Sequence, residues 1–180
     1  MKRITAIIAL CLIIGLSACN TNKNIDNKTS RESVDLVKSI DGDTIKVKYK
    51  GEVKTVRYLL IDTPETKKPN SCVQPYGESA SEVNKELVSN GRLELEFDKG
   101  DRTDKYGRLL AYVYVDGKSV QEILLNKGLA RVAYVYPPNT KYLDRFREAE
   151  QKAMNNHTMI WSKSGYVTDH GFKGCVPHKS

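Results

Sequence analysis

The chain has 180 residues and a formal net charge of +7, from 29 Lys and Arg against 22 Asp and Glu. That length suits one domain with a hydrophobic core, and no repeat or low-complexity tract interrupts it, which excludes a repeat architecture. The excess of positive charge favours a polyanionic partner, although charge alone is a weak signal.

The N-terminal segment is typical of a secretory signal. Lys2 and Arg3 precede an apolar run over residues 4–16, too short to span a bilayer comfortably. The run ends in small residues directly before Cys19, a pattern that resembles the bacterial lipobox. We therefore expect a lipoprotein signal peptide over residues 1–18 and a lipid on Cys19. An ordinary secretory signal or an uncleaved anchor is the alternative.

Residues 19–31 are polar and have no hydrophobic period, which predicts a flexible tether between the lipid and the domain. Loss of residues 1–18 removes Lys2 and Arg3, so the net charge falls from +7 to +5. The expected location is extracytoplasmic: the protein would be anchored to the outer face of the cell membrane through its lipid only, with some of it released.

Period-two alternation predicts half-buried β-strands, most clearly where Ile45, Val47 and Tyr49 alternate with polar residues. Leu93, Leu95 and Phe97 alternate in the same way with Arg92, Glu94 and Glu96. The predicted strands cover residues 34–40, 45–49, 53–61, 93–97 and 109–115.

Three segments have helical apolar spacing. The first steps through Tyr76, Ala80, Val83 and Leu87 and is followed by Gly91. In the second, Ser119 and Glu122 form a capping box, and Gly128 ends the helix. In the third, the apolar residues are Leu143, Phe146, Ala149 and Ala153.

The order of these elements, with one helix between the third and fourth strands, fits an OB-fold. The predicted class is α+β, mainly β barrel: a five-stranded OB-fold barrel with three packed helices over residues 32–162. Residues 163–180 would form a C-terminal tail.

The residues between the first and second strands, and just after the third, are the first candidates for chemistry. Asp41, Asp43, Asp62 and Glu65 surround a tight hairpin that also contains Arg57. Carboxylates attract a hard divalent cation and arginines attract phosphate, so the combination indicates metal-assisted phosphodiester chemistry. Taken singly, each aspartate is equally typical of a turn or a loop cap, and Glu65 of an exposed surface residue.

Arg57 shares a strand face with Leu59 and Ile61, an unusual place for a positive charge without an anionic partner. That position favours a site over a solvated surface. Arg108 follows Gly107 at the start of a strand and alone would be unremarkable.

Four blocks, in order and with compatible spacing, resemble the staphylococcal nuclease (thermonuclease) family: DGDT, RYLLIDTPET, FDKGDRTDKYGR and AYVY. The resemblance covers residues 34–161. It implies a calcium site formed by the carboxylates of Asp43 and Asp62 and the carbonyl of Thr63. It also implies that Glu65 is the general base, and that Arg57 and Arg108 bind the phosphate.

The same resemblance implies that Lys105 and Tyr106 contact a terminal phosphate, while Tyr134 and Tyr136 flank the base or sugar. Aromatic rings stack on any base, so such contacts need not encode sequence. Tyrosines spaced by two residues are equally consistent with one face of an extended segment packed on the core.

Of the four cysteines, Cys72 and Cys175 remain once the signal and the lipidation site are set aside. An even pair in an oxidising compartment favours a disulfide, which would hold the tail against the loop around Cys72. Two free thiols are the alternative.

The sequence thus predicts a monomeric, calcium-dependent nuclease that acts on DNA and RNA and leaves 3′-phosphate ends. The three histidines, His157, His170 and His178, lie far from the acidic cluster in the sequence, which disfavours a histidine base or a zinc nuclease. The main alternative is a catalytically silent OB-fold module that binds nucleic acid, because fold does not determine activity. A lipoprotein adaptor for a surface partner is a weaker one.

Overall fold

The computed structural model describes residues 30–66 and 72–176. The predicted signal peptide and Cys19 lie outside the described residues, as does all of the predicted tether except Ser30 and Arg31. None of the helices within the described ranges is long and apolar enough to cross a membrane.

The strands of the barrel are β1 (Arg31–Ser33), β2 (Asp35–Ser39), β3 (Thr44–Tyr49), β4 (Glu52–Tyr58), β6 (Leu93–Glu96) and β7 (Leu109–Val115). Short strands are β5 (Ile61–Asp62), β8 (Lys118–Ser119), β9 (Arg131–Val132), β10 (Val167–Thr168) and β11 (Gly171–Phe172). The helices are α1 (Gly77–Ser89), α2 (Val120–Asn126) and α3 (Leu143–Asn155), followed by a 3-10 turn at Met159–Ser162.

The sheet closes through one extended segment. Its order is β1-β6-β7-β4-β3-β2, with β4 and β7 parallel and the other neighbours antiparallel. Only Val34 separates β1 from β2, so this segment pairs with β6 at its start and with β3 at its end. Counted as one strand, it makes five, and the predicted five-stranded barrel with three helices is confirmed.

The barrel interior forms the core. Ile45 and Val47 of β3 are fully buried while the neighbouring Lys46 and Lys48 are exposed, as the alternation predicted. The helices cover this core with fully buried side chains such as Leu124. Burying one such side chain contributes about 1.5–3 kcal/mol.

Strand β6 differs from the predicted half-buried pattern, because its acidic residues are buried as well. The Glu96 side chain is only 1% exposed and accepts hydrogen bonds from Lys141 Nζ and Tyr142 Oη, both at 2.8 Å, with Arg31 Nε at 3.4 Å. Elements distant in sequence thus supply the charges that allow an acid to be buried.

The prediction of one strand over residues 53–61 was wrong at its C-terminal end. Strand β4 ends at Tyr58, and Leu60 has a φ of 66°, which breaks the extended backbone. Ile61 and Asp62 then form β5, which pairs with β9 instead of joining the barrel. This turn places the Asp62 carboxylate beside residues that come from the far end of the domain.

The helix boundaries follow the predicted signals closely. The Ser119 hydroxyl accepts the Glu122 N–H at 3.3 Å at the start of α2, and Gly128 has a φ of 65° just after the helix. The capping box is only half formed, because the Glu122 carboxylate pairs with Arg145 of α3. On α1 the buried face also includes a polar residue, Asn84.

The described part of the tail, residues 163–176, is ordered as a small hairpin of β10 and β11. The structure joins Cys72 to Cys175 in a disulfide, with a Cα–Cα distance of 5.5 Å.

Candidate active site

The predicted metal, catalytic and substrate residues surround a single cavity of about 900 Å³ at one side of the barrel. Strand ends, the loop after β5, the segment before β7 and the segment after β9 all contribute to it. The ten predicted residues that line it are Asp43, Arg57, Asp62, Thr63, Glu65, Lys105, Tyr106, Arg108, Tyr134 and Tyr136.

Asp43 lies directly before β3 and is 95% buried, since only 5% of its surface is exposed. Its Oδ2 accepts the Thr63 N–H at 3.0 Å and the Thr63 hydroxyl at 3.1 Å. Its Oδ1 accepts the Thr44 hydroxyl at 3.0 Å. The Thr63 amide and hydroxyl therefore orient Asp43. The sequence predicted a role only for the Thr63 backbone carbonyl.

Gly42 and Asn84 shape the turn that presents Asp43. A Cβ on Gly42 would lie 2.5 Å from Thr63 Oγ1 and 2.9 Å from the Ala80 Cβ, so only glycine allows this close approach. The Asn84 amide of α1 donates to the Asp41 carbonyl at 2.7 Å. The sequence analysis missed Gly42, although it lies within the DGDT block.

Arg57 on β4 lies between two carboxylates, with its Nε 3.2 Å from Asp43 Oδ1 and its Nη2 3.6 Å from Asp62 Oδ1. Nη1 donates to the carbonyls of Tyr58 and Ile61 at 2.8 and 2.9 Å. Those carbonyls become available because the chain turns after β4, so the turn fixes the guanidinium at the cavity wall.

The site contains more buried negative charge than Arg57 alone can balance. Burial and the neighbouring Asp43 raise the pKa of Asp41 to about 6. Burial, together with the charge of Asp43, also raises the pKa of Asp62. A group of acids with this property favours a bound cation, because a cation stabilises their ionised forms.

Arg131 on β9 is a second arginine at this group that the sequence analysis missed. Its Nε and Nη2 lie 3.1 and 3.0 Å from Asp62 Oδ2, and it is nearly buried. Its only sequence signal was proximity to the AYVY block, and the pairing of β5 with β9 is what places it beside Asp62.

Glu65 lies on the irregular segment after β5, and the backbone on both sides of its side chain is held. Its N–H donates to Gln74 Oε1 at 2.8 Å, and its carbonyl accepts the Gln74 N–H at 2.9 Å. Its own Oε1 accepts the Thr66 N–H at 3.1 Å. The carboxylate lines the same cavity as Asp43 and Asp62.

Arg108 lines the cavity from the turn before β7. Asp104 Oδ2 accepts a hydrogen bond from its Nε at 2.7 Å, and this contact does not use the terminal nitrogens of the guanidinium. Burial acts to raise the pKa of Asp104, but hydrogen bonds from Arg108 and Tyr106 outweigh it and lower that pKa.

The predicted substrate-binding tyrosines form an exposed rim. Tyr106, Tyr134 and Tyr136 are 71%, 55% and 70% exposed, so they are not packed into the core. The Tyr134 ring faces Arg57 at 5.2 Å, and the Tyr106 ring lies 5.5 Å from Arg108 and 5.1 Å from Lys105 Nζ. Each arginine thus has an aromatic surface beside it that is accessible from solvent.

The donor chemistry of the acidic group fits a hard divalent cation, which prefers carboxylate, carbonyl and water oxygens. Within residues 30–66 and 72–176, no three His, Cys, Asp or Glu side chains form a cluster that could hold a metal ion. The groups of the cavity that could hold such a cation are the Asp43 and Asp62 carboxylates and the Thr63 carbonyl, with water completing its shell.

Fold and site together define an OB-fold protein whose cavity is lined by acids and arginines and has exposed aromatic rings at its rim. A family model described as "Staphylococcal nuclease homologue" matches residues 55–163. The chain belongs to the staphylococcal nuclease family, as the sequence blocks predicted.

Individual relatives agree with this assignment. The SPbeta prophage-derived endonuclease YokF of Bacillus subtilis (strain 168) is 74% identical over 147 residues, covering 82% of this chain and 50% of that protein. Endonuclease YncB of the same organism is 72% identical over 150 residues, 83% of this chain and 71% of the relative. A thermonuclease of Staphylococcus hyicus is 39% identical over 170 residues, 90% of this chain and 99% of that protein. The chain thus spans only half the length of YokF.

Proposed function

We propose that the protein is a calcium-dependent nuclease that hydrolyses phosphodiester bonds of DNA and RNA with little sequence specificity and leaves 3′-phosphate ends. The observation that supports this most is that Arg57, Glu65 and Arg108 line one cavity together with the acids Asp43 and Asp62. The names of the relatives, endonuclease and thermonuclease, support the same reaction class.

Arg57 and Arg108 would bind the scissile phosphate. Guanidinium groups donate paired hydrogen bonds to phosphate oxygens and neutralise the charge that develops at phosphorus during in-line displacement. Both are pre-oriented, Arg57 by backbone carbonyls and Arg108 by Asp104, so little reorganisation is needed when the substrate arrives.

Glu65 would orient the attacking water and accept its proton. The water oxygen bonds to phosphorus, the P–O5′ bond breaks, and the 5′ oxygen leaves as a hydroxyl by taking a proton from solvent, to which Glu65 returns its own. Because the Glu65 backbone is held by Gln74, the carboxylate has a defined starting position for this step.

Asp43, Asp62 and the Thr63 carbonyl would hold the calcium ion. When bound, the ion supplies positive charge to the phosphate oxygens and a binding position for water. The charge of Asp43 contributes to the raised pKa of both Asp41 and Asp62, and Arg57 and Arg131 balance only part of this negative charge, which supports the proposal of a divalent cation.

Lys105, Tyr106, Tyr134 and Tyr136 would contact the rest of the nucleotide. Their exposure suits stacking and phosphate contacts that do not depend on base identity, which gives broad specificity for both nucleic acids.

We further propose that a monomer acts outside the cytoplasm, anchored to the outer face of the membrane by a lipid on Cys19 and in part released. Support comes from the lipobox-like sequence and from the Cys72–Cys175 disulfide, which suits an oxidising compartment.

The test uses the chain from Asn20 to its C-terminus, with DNA and RNA as substrates, in calcium or in excess chelator. Variants Glu65→Gln and Arg108→Ala are compared with Asp144→Ala, an exposed acid on α3 that serves as a control for a surface substitution. We expect cleavage in calcium, none in chelator, and losses of at least about 10²-fold in kcat for both site variants.

Cleavage that persists in chelator would contradict the calcium assignment. Full activity in both site variants would contradict the assigned roles. Tight nucleic-acid binding without any cleavage would instead identify a silent OB-fold binding module.

A further inference from the structure

The C-terminal hairpin returns to the segment that follows Glu65. Residues 163–176 lie beside residues 72–76, and several contacts between groups distant in sequence join them. Among these are a hydrogen bond from the Tyr166 hydroxyl to the Pro75 carbonyl, one from the Val176 N–H to the Val73 carbonyl at 2.8 Å, and the disulfide between Cys72 and Cys175.

Gln74 connects this hairpin to the irregular segment after β5 that contains Glu65. Its Oε1 accepts the Glu65 N–H at 2.8 Å, while its Nε2 donates to the Phe172 carbonyl at 2.9 Å. A third bond runs from the Gln74 N–H to the Glu65 carbonyl at 2.9 Å. One side chain thus satisfies a backbone donor in the loop and a backbone acceptor in the tail.

The hairpin also contacts the acidic group from a second direction. The Phe172 ring lies 5.8 Å from the Arg131 guanidinium, and the Asp169 carbonyl accepts Arg131 Nη1 at 3.5 Å. Arg131 in turn binds Asp62. The same hairpin therefore borders both the segment that contains Glu65 and the Arg131 side chain that binds Asp62.

We infer that Gln74 is a positioning residue for Glu65, and that the disulfide-linked hairpin β10–β11 is the support against which Gln74 holds it. The inference rests on the proposed nuclease function. Glu65 belongs to no helix or strand, so the hydrogen bonds of its backbone to Gln74 contribute to its position where no regular element does. A displacement of about 1 Å at a reacting group can lower a rate by about 10²-fold.

The obvious alternative is that Gln74 only stabilises the fold. Gln121 provides a matched control, because its fully buried side chain also bridges two backbone groups, accepting the Val113 N–H at 3.1 Å and donating to the Ala111 carbonyl at 3.2 Å. Replacing either glutamine by methionine keeps the length of the side chain and removes both bonds.

The experiment measures kcat, KM and the unfolding midpoint for the disulfide-bonded chain with DNA in calcium. The variants are Gln74→Met, Gln121→Met, Glu65→Gln and the double variant Glu65→Gln/Gln74→Met. The double substitution Cys72→Ser/Cys175→Ser is the second test of the support. Amide hydrogen exchange at Glu65 reports the hydrogen bond from the Glu65 N–H to Gln74 and does not depend on catalytic activity.

We expect Gln74→Met to lower kcat by about 10- to 100-fold, with KM changed less than about threefold, and to speed exchange at the Glu65 amide. In the Glu65→Gln background the same substitution should change kcat by less than about twofold, because Gln74 acts through Glu65. The cysteine variant should lower kcat in the same direction, whereas Gln121→Met should lower the unfolding midpoint without lowering kcat.

The inference would be overturned if Gln74→Met lowered kcat by the same factor in the wild-type and Glu65→Gln backgrounds, or by no more than Gln121→Met does. Either result would leave the nuclease function intact. Unchanged exchange at the Glu65 amide would also overturn the inference. A wild-type chain that fails to cleave, or a Glu65→Gln variant with full kcat, would overturn the proposed function and this inference together.

Discussion

The Asp104 carboxylate binds both the side chain and the backbone of Arg108. One carboxylate oxygen lies 2.7 Å from the Arg108 Nε, and the other accepts the Arg108 N–H at 3.0 Å. The second oxygen also accepts the Tyr106 N–H at 2.9 Å, so the acid organises the whole turn from which Arg108 enters the cavity.

From this contact we predict that Asp104→Ala lowers kcat/KM by about tenfold, equivalent to about 1.4 kcal/mol of transition-state stabilisation. The reason is that the guanidinium would lose its fixed orientation but not its charge. Asp104→Asn should have a smaller effect, since the amide oxygen can still accept the Tyr106 and Arg108 N–H groups and keep the turn. Steady-state kinetics with DNA in calcium provide the measurement.

Asp144→Ala removes an exposed acid elsewhere and controls for the change in net charge. The Asp104 effect should also disappear in an Arg108→Ala background, because the two residues act as a unit. A full tenfold loss in that background would contradict the assignment.

Gly42→Ala should damage the site and the fold at once. The added Cβ would lie 2.5 Å from Thr63 Oγ1, so Thr63 must move and its hydrogen bonds to Asp43 are lost. We expect a loss of about 1–3 kcal/mol in the free energy of unfolding and at least about a tenfold loss in kcat. Denaturant unfolding and kinetics measure the two effects.

The control is Gly51→Ala in the β3–β4 turn, where φ is 86° and a Cβ would meet nothing within 4 Å. That substitution costs backbone strain of about 1 kcal/mol, and kcat should stay unchanged. Equal losses of kcat in both variants would show that stability alone explains the Gly42 result.

Removal of the disulfide should destabilise the domain. The bridge closes a loop of 103 residues, so the substitution Cys72→Ser/Cys175→Ser should lower the free energy of unfolding by about 2–4 kcal/mol. Guanidinium unfolding curves with and without reductant measure the effect. Reductant should shift the wild-type midpoint and leave that of the variant unchanged; an unshifted wild-type midpoint would contradict the prediction.

Glu150 predicts a pH dependence of stability that is independent of catalysis. Burial raises its pKa, although the Val132 N–H at 2.7 Å and two nearby arginines oppose this. A carboxyl with a raised pKa in the folded state disfavours folding progressively as pH rises above its unfolded pKa. Glu150→Gln keeps an acceptor for Val132 and removes this charge.

The variant should therefore gain stability relative to the wild type as pH increases from about 4 to 7, where the unfolded carboxyl ionises. Urea unfolding at several pH values measures the difference. A difference that stays constant with pH, or that shrinks as pH rises, would show that the buried charge is not the cause.

Much of the fold was predictable because its signals are local. Alternation at β3, apolar spacing in α3 and the Ser119 cap each depend on a few neighbouring residues, and each element formed within a few residues of its predicted bounds. The predicted strand over residues 53–61 failed because the left-handed Leu60 carries no such local signal. The burial of Glu96 was not predicted for a different reason, because its partners come from distant segments.

The sequence by itself determined the family, the barrel with three helices, and the acids and arginines that line the cavity, because these are encoded in short contiguous blocks such as DGDT and RYLLIDTPET. Only the tertiary structure decided which groups orient them. Arg131 meets Asp62 across 69 residues, and Gln74 meets Phe172 across 98. Contacts between segments so far apart in the sequence form only when the whole domain packs, so no local pattern of residues predicts them.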